Sequence, residues 1–161
     1  MTTPTLIDST LLDEVTHQAR GSERKRKNFN FHDTDDAATH RLLNAVEPGS
    51  YVQPHRHLDA AKDETFVVLR GAFGVVLFDA DGRVTQTTLL RADGDTLGIN
   101  IPSGTFHSLL SFEPGSVFFE AKSGPYRPLS PEEKAAWAPA EADPGAAAYL
   151  EKLCALFDPS E

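Results

Sequence analysis

The sequence predicts a mainly β domain, an antiparallel sandwich or barrel, with helices confined to its two ends. Three observations carry this expectation. Between residues 28 and 122 about nine short strand-like stretches recur, separated by Gly, Pro or Asp, a rhythm foreign to α/β folds. Apolar residues at helical spacing occur only near residues 9–20 and beyond 144. The chain has 161 residues, 40% hydrophobic and 24% charged, enough to bury one core without disulfides or obligatory metal folding. The expected division is residues 1–27, an N-terminal helix and basic connector, 28–122, the β-barrel, and 123–161, a Pro-rich segment with C-terminal helices.

Taken in order, Asp8 or Ser9 caps a helix that carries Leu11, Leu12, Val15 and Ala19 on one face, and Gly21 stops it. His17 lies on its exposed side. The basic run Arg24-Lys25-Arg26-Lys27 reads as a solvated connector, or as a rim that attracts a phosphorylated or otherwise anionic ligand. Asn28 to His32 alternates polar and aromatic residues, a half-buried strand. Further strands are expected at 41–47, 51–57, 64–69, 72–78, 83–90, 96–101, 105–112 and 117–122, with hairpin turns at Asp79–Gly82 and Asp93-Gly94. The tetrapeptide Glu47-Pro48-Gly49-Ser50 returns as Glu113-Pro114-Gly115-Ser116, each time between two strands. After residue 123 the composition shifts. Ser130-Pro131-Glu132-Glu133 has the form of a capped helix start, predicting a short helix that ends by Trp137. From Pro144 a second helix places Tyr149, Leu150, Leu153, Leu156 and Phe157 on one stripe, to pack on the barrel or on a second subunit.

The charge balance narrows the partners. A net charge of −9 argues against nucleic acid and against an anionic membrane surface. The single cysteine, Cys154, excludes an intramolecular disulfide framework. No apolar run approaches 18 residues and the first ten residues lack a signal pattern, so a cytoplasmic location is the default expectation. Exposed strands and the apolar tail stripe lead to the expectation of a homodimer.

The chemistry concentrates in one stretch. His55 and His57 are two apart in a strand-like segment, so their imidazoles face the same way, roughly 6.6 Å apart along the chain. Glu64 opens the next apolar run, and His107 follows the corner Pro102-Ser103-Gly104. Three imidazoles and one carboxylate suit Fe, Zn, Mn, Ni, Co or Cu, one divalent transition metal per chain, rather than the oxygen-rich sites of Ca or Mg. No thiolate is at hand for a closed structural zinc site. Four protein ligands leave two positions of an octahedral ion open to a small polar molecule or water. Tyr51 and Gln53 share the face of His55 and His57 and are candidate substrate-binding groups. Arg41 and Arg70 are candidates for an anionic substrate, whereas His32 and His40 read as hydrogen-bonding residues near strand ends.

These residues resemble the motifs of the cupins, double-stranded β-helix (jelly-roll) barrels. Gly49, His55, His57, Glu64 and Gly71 follow the first cupin motif, except that six residues separate His57 from Glu64 where three or four are usual. Glu64 is favoured over Asp59 or Asp63 because it alone keeps the seven-residue offset to Gly71. Pro102, Gly104 and His107 follow the second motif, with Ser111 where an Asn is expected. The sequence more closely resembles the WbuC-type cupin-fold metalloproteins. That likeness rests on Arg26 to His32, Pro54 to His57, Phe66 to Gly71, Gly124-Pro125-Tyr126 and Trp137-Ala138-Pro139. The resemblance implies a metal-binding jelly roll of a kind often associated with O-antigen polysaccharide gene clusters, but it supplies no reaction. The expected function is therefore a metalloenzyme acting on a sugar or sugar-nucleotide-like molecule by isomerisation, hydrolysis or oxygenation. The alternative is a non-catalytic, metal-dependent ligand-binding or sensor module.

Overall fold

Strand alternation, with one apolar face per strand, assembles the middle of the chain into two antiparallel sheets. The computed structural model describes residues 3–158; residues 1–2 and 159–161, the tips of the two flanking segments, lie outside the described residues. The elements are α1 (Ser9–Gly21), β1 (Arg26–Asn30), β2 (Thr39–Val46), β3 (Glu64–Arg70), β4 (Ala72–Phe78), β5 (Val84–Arg91), β6 (Gly98–Ile101), β7 (Phe106–Ser111), β8 (Val117–Ser123) and α2 (Ala146–Cys154). A 3-10 turn, Ala155–Phe157, closes the series. One sheet has the order β1-β2-β8-β3-β6 and the other β5-β4-β7. Mainly β, with two antiparallel sheets facing each other, this is the jelly roll of the cupin fold.

The core between the sheets joins Val46, Phe66, Val68 and Phe118 of the larger sheet to Phe73, Val75, Leu90 and Leu109 of the smaller side. Both sheets are also covered from outside. α1, capped by Asp8, whose side chain accepts a hydrogen bond from the Leu11 amide, lays Leu11, Leu12, Val15 and Ala19 against Leu43, Ala45 and Val117. On the smaller sheet, Val76, Phe78, Phe106 and Leu110 pack against Ala135, Trp137, Ala138, Leu153 and Phe157. The tail stripe thus seats on its own barrel, although Leu156 stays exposed. Among the described residues no helix is long and apolar enough to cross a membrane.

Two expected elements take another form. Residues 51–57 are not a regular strand; only His55 makes bridges, to His107 and to Lys134. Pro54 has no amide hydrogen to give to a ladder, and its carbonyl is taken by the Ala135 amide. Residues 131–137 do not form a helix either. The capping contacts are made, the Ser130 amide donating to Glu133 Oε2 and the Glu133 amide to the Ser130 carbonyl. The chain then leaves the helical path because the Glu133 carbonyl and the Ala135 amide pair with residues 54–56. Trp137 locks this path, its indole lying over the β4–β5 hairpin. Gly82 there has φ +84°, and a Cβ at that position would come 2.5 Å from the indole.

Candidate metal centre

The candidate ligands sit where the two sheets meet. Reciprocal backbone hydrogen bonds of 3.0 and 2.9 Å tie His55 to His107, the second residue of β7. The His57 carbonyl accepts from the Gly104 amide at 2.7 Å, which fixes the Pro102–Gly104 corner beneath it. Glu64 opens β3 and is buried there, opposite Ile101 on one side and Lys122 on the other. The longer loop between His57 and Glu64 closes on itself. Asp59 accepts from the Ala61 amide and Asp63 from the Ser103 amide, so both carboxylates are engaged by loop backbone and Glu64 alone turns inward.

One nitrogen of His55, one of His57 and one Glu64 oxygen lie within 4.8 Å of one another. His57 Nε2 is 3.0 Å from Glu64 Oε1, and His107 Nε2 is 2.9 Å from Glu64 Oε2. Ligands bound at about 2.1 Å to one ion at right angles stand about 3 Å apart, so this spacing fits a shared cation. Two further observations test the fit. His55 Nδ1 and His107 Nδ1 lie 3.0 and 2.9 Å from the carbonyls of Gln53 and Thr105. Those bonds place the ring protons on Nδ1 and leave Nε2 as a lone pair. Glu64 Oε2 is buried and makes no formed hydrogen bond, although His107 Nε2 lies 2.9 Å away. A buried carboxylate oxygen without a donor, beside an imidazole lone pair, fits a cation site.

The surroundings set the charges. Desolvation, then the neighbouring His107, lowers the His55 pKa to about 3, so this ring is neutral at ordinary pH. Burial would raise Glu64, but the imidazoles of His107 and His57 and the Lys122 ammonium hold it well below the usual carboxylate range. Lys122 Nζ bridges Glu64 Oε1 at 3.1 Å and Glu120 Oε1 at 2.7 Å, and Asn44 donates to Glu120 Oε2 at 2.7 Å. Burial pushes Glu120 up against the pull of Lys122. Against its own burial, Lys122 is raised by those two carboxylates. Lys122 and Glu120 did not emerge from the motif reading. Their signal is alternation: in β8 they share the inward face of Phe118.

These groups line a cavity of about 950 Å³ that opens between β1, β2 and the segment after β8. Asn28, Asn30, Asn44 and Gln53 contribute carboxamides to its wall. Among the expected substrate groups, Gln53 lines the cavity and donates to the Ala135 carbonyl. Tyr51 is buried behind it, its hydroxyl donating to the Pro139 carbonyl at 2.7 Å. Arg41 and Arg70 are not brought to the cavity. Arg41 is exposed beside the Phe31 carbonyl and Arg70 pairs with Asp13 of α1. Ser111 lies at the far end of β7, paired with Phe73, away from the ligands. From the basic run, Arg24 and Arg26 reach the cavity mouth, where both pair with Glu141. His32 and His40 stack on each other with ring centroids 3.9 Å apart, each bonded to a backbone carbonyl.

Comparison with solved structures returns likenesses of fold. A conserved protein of unknown function from Streptococcus pyogenes, SPY1581, aligns with a TM-score of 0.52 at 11% identity, over 79% of this chain and 93% of that one. An oxalate oxidase in complex with the substrate analogue glycolate aligns with a TM-score of 0.50 at 14% identity, over 65% of this chain and 54% of that one. A cupin-2 domain containing protein from Shewanella frigidimarina aligns with a TM-score of 0.46 at 21% identity, over 61% and 80%. No curated protein sequence matches the chain. The family model described as Domain of unknown function (DUF6016) matches residues 7–90, more than half the chain and the part that carries His55, His57 and Glu64, so the protein belongs to that family.

Proposed function

We propose that this protein is a divalent-transition-metal cupin of WbuC type that acts on a small polar molecule, of sugar or sugar-nucleotide kind. His55, His57, Glu64 and His107 would hold the ion. The observation that carries the reading is the convergence of His57 and His107 nitrogens on the two oxygens of the buried Glu64 carboxylate, one of which lacks a hydrogen-bond partner, at the wall of a large cavity. A bound ion would supply Lewis acidity or redox chemistry toward a ligand oxygen. The chain's own residues do the remaining work. The Gln53 and Thr105 carbonyls orient two rings, Lys122 fixes the Glu64 carboxylate, and carboxamides along β1 and β2 offer donors and acceptors for hydroxyl groups.

Elemental analysis of protein purified without a histidine tag or chelator tests this, beside His55→Ala and His107→Ala variants. The expected result is about one equivalent of one transition metal in the wild type and loss in both variants. Its identity then directs the assay: oxygen consumption for iron, isomerisation or hydrolysis of sugar substrates for zinc, manganese or nickel. Wild-type protein that neither contains nor takes up a metal would overturn the proposal.

A further inference from the structure

We propose that Lys134 is a specificity-determining residue that anchors an anionic oxygen group, a carboxylate or a phosphate, of the molecule bound at the metal site. This rests on the proposed metal centre and names the ligand class it takes. The carrying observation is a row of three residues across the strands: His107 bridges His55, and His55 bridges Lys134, both antiparallel. Directly opposed residues of an antiparallel pair put their side chains on the same face, with Cβ atoms about 5 Å apart. Lys134 therefore issues next to a candidate metal ligand and on its side of the chain, and it lines the cavity.

Three other cavity cations are held in ion pairs. Lys122 is held by Glu64 and Glu120, and Arg24 and Arg26 by Glu141. Lys27 also lies at the cavity rim, but by alternation along β1 it shares the side of Phe29, which packs toward α1, rather than that of Asn28 and Asn30. Among the described residues the Lys134 ammonium has neither an ion-pair partner nor a hydrogen-bond acceptor, and the residue is exposed to the cavity.

Its backbone is held more firmly than an exposed turn usually is. The Arg56 amide donates to the Glu133 carbonyl at 2.8 Å and the Ala135 amide to the Pro54 carbonyl at 2.9 Å. The Glu133 carboxylate accepts from the Leu58 amide at 3.0 Å and the Ser130 amide at 2.9 Å. Ala135 is fully buried and Trp137 packs on Phe78 and Phe106. All this spends a sequence suited to a helix on one fixed bridge position beside His55. A mobile, strongly hydrated ammonium on such a support suits a charged group at the open side of the ion.

Cobalt-loaded protein gives the test, because ligands entering the metal's open positions change its visible spectrum. Wild type, Lys134→Met and Lys134→Arg are titrated with glycolate, inorganic phosphate and neutral imidazole. Loss of one charge-assisted hydrogen bond predicts that Lys134→Met weakens the preferred anion about tenfold or more, with imidazole unchanged and most affinity restored in Lys134→Arg. The anion that loses more identifies carboxylate or phosphate as the group. Equal anion affinity in wild type and Lys134→Met would overturn the inference, as would an equal loss for imidazole or a cobalt-loaded wild type that binds neither anion. A wild type that takes up no cobalt would instead overturn the metal centre on which the inference stands.

Discussion

Lys122 is the residue whose removal separates structure from metal binding. Its ammonium neutralises two buried carboxylates, Glu64 and Glu120, at 3.1 and 2.7 Å. Lys122→Met leaves both charges in a low-dielectric wall, and breaking such a network costs about 3 kcal/mol. In the metal-free protein, urea denaturation is expected to show that loss, with most of it recovered in Lys122→Met/Glu120→Gln. Metal affinity of the single variant should fall about 10–100-fold, the effect of losing a group that orients a ligand. Unchanged affinity by competition with a chelator would show that Lys122 is not needed to hold Glu64 in place. At this scale His-x-His, Glu64 and His107 were legible because each belongs to a short motif. Lys122 and Glu120 were not, because only the register Glu64↔Lys122 makes them neighbours.

Two elements carry further expectations. The segment 130–139 owes its path to Trp137, so Trp137→Ala should release the Lys134 backbone from His55. The indole is only half-buried, so the expected loss is about 2 kcal/mol, below the value for a fully buried tryptophan. Amide exchange at Arg56 and Ala135, which donate across this contact, should quicken in the variant while β4 and β7 stay protected. The second element is the start of β2. Burial, then the His32 ring, lowers the His40 pKa, with a smaller push from Lys122 and an opposing pull from Asp35. The folded state therefore binds this proton less readily than the unfolded chain. Stability contributed here is complete above about pH 6.5, the unfolded value, and falls as pH drops below it. His40→Phe should flatten that part of the stability curve between pH 7 and 5, measured by denaturation in matched salt. A slope identical to wild type would assign the dependence to other groups.

For the molecule as a whole, an ion bound at the proposed centre would act as a brace as well as a reagent. The candidate ligands come from the segment after β2, from β3 and from β7, so binding would tie the two sheets together at one end. Adding metal at about 100 times its dissociation constant is expected to stabilise the fold by about 2.7 kcal/mol, and chelation to remove that increment. Differential scanning calorimetry with and without chelator measures it. No shift with any of Fe(II), Mn, Ni, Co or Zn would contradict the four-ligand site.

The sequence by itself determined the alternating strands, the turns between them and the capped α1. Each depends on residues within a few positions of one another, where alternation, capping and φ preferences act directly. It also held the ligand motif, since cupin spacing is local. Tertiary structure alone decided that Ser130–Trp137, whose capping signals favour a helix, instead forms turns on either side of a single bridge from Lys134 to His55. It alone turned Arg41 and Arg70 outward and brought Glu120, Lys122 and Lys134 to the cavity. The reason is pairing. Which residues oppose each other across strands distant in the chain is set by burial of Trp137, Phe118 and the inner faces as a whole, and no short window of sequence contains that information.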